Sequence, residues 1–250
     1  MSSNIDLTCD GFLGGRLRIW QPKDGFRGST DAVLLAASVP GKPGQTVLDL
    51  GCGVGTAGLC LAQRTKAQVT GLELNESTAN LARRNGAEND LPLSVHTGDV
   101  AQMPSILRAV SFDHVLCNPP YYAAGGGTSA HNPAREAALR EKLPLQIWLD
   151  AATRRAKPGG TVSFIVAADR LPDLMAAMDD RLGSGRVLPL APRVGKPAKR
   201  VIFQAQKAAR GPFVLLAPFV LHDGETHGED APDETPLARS ILRNGTALPL

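Results

Sequence analysis

From residue 46 to about 167, short apolar runs alternate with longer segments of helical character, and this alternation narrows the possible folds of the chain more than any other feature. Thr46–Leu50, Gln68–Leu74, Leu93–Thr97, Phe112–Cys117 and Thr161–Ala167 read as strands. Between them, Ala57–Arg64, Glu76–Glu88 (with Asn75 as N-cap) and Lys142–Lys157 read as helices, the last ending before Pro158-Gly159-Gly160. Strand–helix repetition with apolar, β-rich runs predicts a parallel sheet covered on both faces. Right-handed crossovers make it a doubly wound α/β fold. Ser29–Val39 precedes this core as a buried helix, and Leu171–Leu182 follows it as another. Arg186–Leu190 and Arg200–Gln206 are separated by too few residues for a crossover helix, so they are expected to pair antiparallel. His222–Pro236 is acidic and rich in proline and glycine, hence a loop or disordered tail. The domain reading is an N-terminal extension (1–24), one domain (25–221), and an acidic loop with a C-terminal tail (222–250).

Bulk properties exclude several classes. A net charge of +3 permits a polyanionic partner but lacks the strong basic signal of a dedicated nucleic-acid module. Cys9, Cys52, Cys60 and Cys117 form no CxxC pair, so neither a zinc site nor a disulfide framework is expected, and no metal is assigned. The first 20 residues lack a secretory pattern, and no apolar run is long enough to span a bilayer. The expectation is a soluble, cytoplasmic protein.

Where the first strand meets the first helix stands Asp49-Leu-Gly51-Cys-Gly53-Val-Gly55. Glycine here lets a ligand approach the backbone, and the helix start offers free N–H groups. Gly53-Val-Gly55-Thr-Ala-Gly58 also matches the dinucleotide fingerprint, so a nicotinamide oxidoreductase is a rival reading. A carboxylate at Asp49 would repel a pyrophosphate but suits the ammonium of S-adenosylmethionine. Glu73 at the next strand end suits a ribose diol, because an ionised carboxylate accepts two hydrogen bonds. Asp99, ending the third strand, could accept from an adenine amino group.

Asn118-Pro119-Pro120-Tyr121 follows the fourth strand, at the edge where those acids converge. Two prolines fix φ, remove two donors and leave a stiff bend. A conjugated amino group is a poor nucleophile; two acceptors holding its hydrogens favour a tetrahedral nitrogen whose lone pair points at the methyl donor. The Asn118 amide oxygen and the Pro119 carbonyl are the candidates, and Tyr121 can stack on a flat target.

These motifs resemble the class I Rossmann-like methyltransferases of the amino-methylating group, over roughly residues 26–207. The resemblance implies a mostly parallel seven-stranded sheet ending in an antiparallel strand pair. Its cofactor is S-adenosyl-L-methionine, held by Thr30, Asp31, Asp49, Gly51, Gly53, Gly55, Glu73, Leu74, Asn75, Asp99, Val100 and Asn118. Asn118, Pro119 and Tyr121 would be catalytic. Within the group, Gly25–Leu35, the absence of a large N-terminal domain and the run Lys196–Val201 are most similar to the bacterial tRNA(Val) adenine-N6 methyltransferases, which modify the adenine 3′ of the anticodon. Pro120, Tyr121, Tyr122, Arg135, Lys199 and Arg200 are then candidate tRNA contacts, in part through the glycine-rich segment Ala123–Arg140. Methylation of a protein glutamine or of guanine N2 in ribosomal RNA uses the same Asn-Pro-Pro-Tyr string. A non-catalytic cofactor-binding partner is a further alternative.

Overall fold

The computed structural model describes residues 6–24, 27–120, 143–224, 233–248 and 250. The chain opens with a hairpin, β1 (Leu7–Phe12) and β2 (Leu17–Pro22), then α1 (Thr30–Ser38). The alternating core follows: β3 (Thr46–Leu50), α2 (Thr56–Thr65), β4 (Gln68–Glu73), α3 (Glu76–Glu88), β5 (Leu93–Thr97), α4 (Ser105–Arg108) and β6 (Phe112–Cys117). Next come α5 (Leu145–Arg155), β7 (Ala156–Ala167), α6 (Leu171–Ala176), β8 (Leu182–Ala191) and β9 (Arg200–Lys207). The short strands β10 (Val214–Leu215) and β11 (Phe219–Val220) precede α7 (Pro236–Asn244).

Among the described residues the main sheet has nine strands in the order β10-β8-β9-β7-β6-β3-β4-β5, with β11 also on β8. Strands β5, β4, β3, β6 and β7 are mutually parallel; β9 runs antiparallel to β8, as its spacing predicts, and also to β7 on its other side. The central strands carry near-continuous apolar runs because helices bury both faces: Val47, Leu48, Leu50, Val115, Leu116 and Cys117 are all fully enclosed. Chain order reverses at β3, which has β4 on one side and β6 on the other, and the carboxyl ends of the strands at such a switch point are where open α/β sheets bind ligands.

Several boundaries differ from expectation for local reasons. The Pro158-Gly159-Gly160 turn lies inside β7, where the register against β6 slips between Phe112 and His114 and Gly159 takes φ +79°. The helix after β7 stops at Ala176. Beyond it the Asp179 carboxylate accepts the Arg181 N–H (3.0 Å), a side-chain bond that competes with helix continuation. The C-terminal tail contains α7, where Thr235 caps Ala238 N–H, Pro236 opens the first turn and Gly245 closes the helix at φ +70°. Its Ala238 and Ile241 are buried, and Leu248 N–H donates to the Ala37 carbonyl at the end of α1. Residues 225–232 of the acidic segment lie outside the described residues. At its margins Asp233 pairs with buried Arg193 and with His222, tying the segment to the turn between β8 and β9.

Candidate functional site

Strand register brings the candidate residues to one edge. Leu50 lies opposite both Leu72 and Cys117, so Gly51, Glu73 and Asn118 each begin just beyond the same level of three adjacent strands. Glu73 in turn lies opposite Thr97, two residues before Asp99.

The glycine loop needs its glycines. Gly51, Gly53 and Gly55 have φ of +68°, +56° and +87°, a region L-side chains rarely occupy. A Cβ on Gly51 would also lie 3.0 Å from the indole of Trp148 on α5, and that indole is beneath the loop. Asp49 is only 2% exposed, and its Oδ2 accepts the Gly58 N–H at 3.0 Å. Burial pushes its carboxyl up to about 7; the Gly58 N–H opposes the shift and the charge of Glu73 adds to it. Glu73 spans the loop, one oxygen accepting Gly53 N–H (3.0 Å) and the other Asn75 N–H (2.9 Å). Four lone-pair sites less two leave capacity for a diol. Asn75 caps α3, its Oδ1 accepting Thr78 N–H (3.1 Å), while Leu74 beside it is 63% exposed, an apolar surface with nothing over it. Asp99 Oδ1 accepts Ala101 N–H (2.8 Å), and Val100 buries its side chain in the cluster containing Met103 and Leu107.

At the end of β6, Asn118 is half-buried and its Oδ1 is fully buried with no hydrogen-bond partner. A buried acceptor without a donor costs about 1–3 kcal/mol. Pro119 is buried, and with half-buried Pro120 it lines a cleft shared with Leu145, Val166, Ala167 and Arg170. Tyr121, Tyr122 and Arg135, together with the rest of 121–142, lie outside the described residues. Thr30 is exposed in the first turn of α1. Asp31 accepts from Arg200 Nε at 3.0 Å, so two candidates assigned separately to cofactor and RNA are one ion pair. Lys199 is exposed on the β8–β9 turn at the same carboxyl edge.

Trp148 and Arg170 were not among the sequence candidates. Trp148 carried no signal beyond an apolar helix position. Arg170 stands three residues beyond the end of β7, and that position on a parallel strand's carboxyl edge was a usable one.

A family model described as the methyltransferase small domain matches residues 28–188, spanning the glycine loop, all three strand-end acids and Asn118. The chain belongs to this family. The family comprises S-adenosylmethionine-dependent methyltransferases of the class I fold. A tRNA1(Val) (adenine(37)-N6)-methyltransferase of Porphyromonas gingivalis is 31% identical, covering 81% of this chain and 83% of that one. One of the same name from Shewanella sediminis is 30% identical over 70% and 74%. Among solved structures, a predicted O-methyltransferase from Agrobacterium tumefaciens superposes with a TM-score of 0.71 at 26% identity, covering 88% of this chain and 99% of that one.

The residues present fit the family's cofactor. Asp49 is a buried carboxyl with no cationic side chain paired to it among the described residues, Glu73 retains acceptor capacity, and exposed Leu74 offers an apolar face of the kind an adenine ring covers.

Proposed function

We propose that this methyltransferase acts on the exocyclic N6 amino group of adenine in RNA, that the RNA is tRNA(Val), and that the adenine is the one 3′ of its anticodon. The observation carrying this reading is the unpartnered, buried Oδ1 of Asn118 on a proline-built corner beside the switch point. Such an acceptor suits an N–H donor from the substrate, and a planar exocyclic amine brings two. The curated relatives named for adenine N6 support the choice of amine.

When bound, S-adenosylmethionine supplies an electrophilic methyl group. The chain's own residues divide the remaining work. Asp49 would hold the cofactor's ammonium, Glu73 its ribose diol and Asp99 its adenine amino group. Asn118 Oδ1 and the Pro119 carbonyl accept the two N6 hydrogens, fixing the amine with its lone pair toward the methyl group. The proton leaves after transfer, so no strong base is needed at Asn118. Pro120 with Tyr121 and Tyr122 would grip the base, while Arg135, Lys196 and Lys199 would meet phosphate. The expected setting is the cytoplasm, with tRNA as partner.

Incubation with radiolabelled S-adenosylmethionine and undermethylated tRNA, followed by nucleoside mass spectrometry, tests the proposal. N6-methyladenosine in tRNA(Val) is the expected product. Label confined to guanine or to protein glutamine would refute the assignment.

A further inference from the structure

The N-terminal hairpin reaches the cofactor side of the molecule through one buried side chain. Gln21, at the end of β2, is 2% exposed, and its Oε1 accepts the Gly28 N–H at 2.8 Å. Its Nε2 donates to Asp10 on β1, which also takes the Arg27 guanidinium, while Arg27 donates to the Pro22 carbonyl (2.9 Å). Residues 27–29 are thus drawn against the hairpin just before α1 begins.

Their other side rests on the start of α2. A Cβ added to Gly28 would lie 2.3 Å from Thr56 Oγ1 and 2.9 Å from its Cβ and Cγ2, so the strap and the first residue of α2 touch with no room between them. Thr56 directly follows the Gly51–Gly55 loop, and its hydroxyl is buried without a partner. The start of α2, where helix N–H groups point outward, thus carries a buried hydroxyl with no partner. The strap lies against Thr56 and runs directly into Thr30 and Asp31 of α1, where Asp31 pairs with Arg200.

We propose that Gln21 is a positioning residue for the cofactor. By fixing Gly28 it sets the 27–29 strap over the α2 N-terminus, where the amino-acid end of S-adenosylmethionine binds. This rests on the cofactor assignment above and deepens it, since the hairpin otherwise has no part in the site. The carboxamide is suited to the task because it presents an acceptor to Gly28 and a donor to Asp10 simultaneously, which neither Glu nor Met can do.

The test is calorimetric binding of S-adenosylhomocysteine to the full chain, with KM for S-adenosylmethionine and for tRNA measured alongside. Gln21→Met leaves Gly28 N–H without its acceptor, and the dissociation constant is expected to rise about tenfold. KM for S-adenosylmethionine should rise in parallel, with kcat at saturation and KM for tRNA unchanged. The exchange Asp10→Asn with Gln21→Glu restores an acceptor for Gly28 and a charge partner for Arg27, and should recover most of the affinity. Gly28→Ala, which forces the strap off Thr56 while keeping the Gln21 side chain and the residue-28 N–H, should weaken binding in the same way. Binding by Gln21→Met and Gly28→Ala within twofold of the wild type would overturn this proposal alone. Failure of the wild-type protein to bind S-adenosylhomocysteine would overturn the cofactor assignment, and this proposal with it.

Discussion

The carboxylate of Asp49 is anchored to the Gly58 N–H, 3.0 Å away, in a site almost closed to water. One neutral donor does not offset that burial, so the carboxyl sits near 7 instead of its ordinary 3.8. The folded chain holds this proton where the unfolded chain has released it. Asp49 therefore contributes stability at low pH that is lost as pH rises from about 3.8 to about 7, with no further change above. Relative to Asp49→Asn, the ligand-free melting temperature should fall between pH 5 and 7 and run parallel beyond. A cofactor ammonium favours the ionised form, so binding of S-adenosylhomocysteine should tighten up to about pH 8 and release a proton below pH 7. Calorimetry in two buffers of different ionisation heat measures that proton; uptake in place of release would contradict the assignment.

Under the proposed function, Asn118 keeps an acceptor for the substrate amine at the expense of stability. Its Oδ1 is buried without a donor. Truncation removes an unsatisfied acceptor whose burial costs about 1–3 kcal/mol. Asn118→Ala is expected to keep or raise the melting temperature of the ligand-free protein while kcat for tRNA falls by about 100-fold or more, the scale for removing one well-placed polar group from an active site. Affinity for S-adenosylhomocysteine should drop far less. A variant that loses stability and activity together would make Asn118 a packing residue.

How much of this was legible in the sequence depended on whether the signal was local. The parallel core was readable because each strand is an apolar run flanked by a helix signal, and the acids were readable because Asp49, Glu73 and Asp99 each lie within two residues of a strand's carboxyl end. The Asn118–Tyr121 string was readable from its composition alone, and its Asn118 directly follows the end of β6. What escaped depended on distant partners. Gln21 reads as an ordinary strand-end amide until Gly28 is seen to donate to it. Arg200 reads as a phosphate ligand until α1 brings Asp31 against it across 169 residues. Trp148 matters only because Gly51 lacks a Cβ. The α7 helix had a local signature, Thr235-Pro236 at its start and Gly245 at its end, masked by the acidic run before it.

The Asp31–Arg200 pair sets Arg200 apart from Lys199, the tRNA-contact candidate beside it, and from nearby Lys196. Lys196 and Lys199 are exposed on the β8–β9 turn, next to Val194, which is 82% exposed. Lys196→Ala with Lys199→Ala should raise KM for tRNA and flatten its dependence on salt by about 0.7 in log–log slope for each phosphate no longer neutralised. KM for S-adenosylmethionine should not move. Arg200→Ala should act in the opposite sense, raising KM for S-adenosylmethionine by releasing the first turn of α1. Equal salt slopes in the wild type and the double lysine variant would remove this turn from the RNA surface.

The hairpin is held to the core by Asn85 of α3, which is completely buried and clamps both backbone groups of Trp20. Its Oδ1 accepts the Trp20 N–H (2.8 Å), and its Nδ2 donates to the Trp20 and Val54 carbonyls (2.9 Å each). Asn85→Ala would strip the partner from one buried and two part-buried backbone groups, at a cost of about 2 kcal/mol or more. For a chain of this size that corresponds to a drop of roughly 4–8 °C in melting temperature. The Arg84 guanidinium also lies over the Trp20 ring, 4.1 Å from its centre, but on the surface. An exposed cation–π pair contributes about 0.5–1 kcal/mol, so Arg84→Ala should cost distinctly less. Urea unfolding of both variants orders the two interactions. If Arg84→Ala proved the more damaging, the hairpin would be held by its surface face, and the route from Asn85 through Trp20 to Gln21 would lose its anchor.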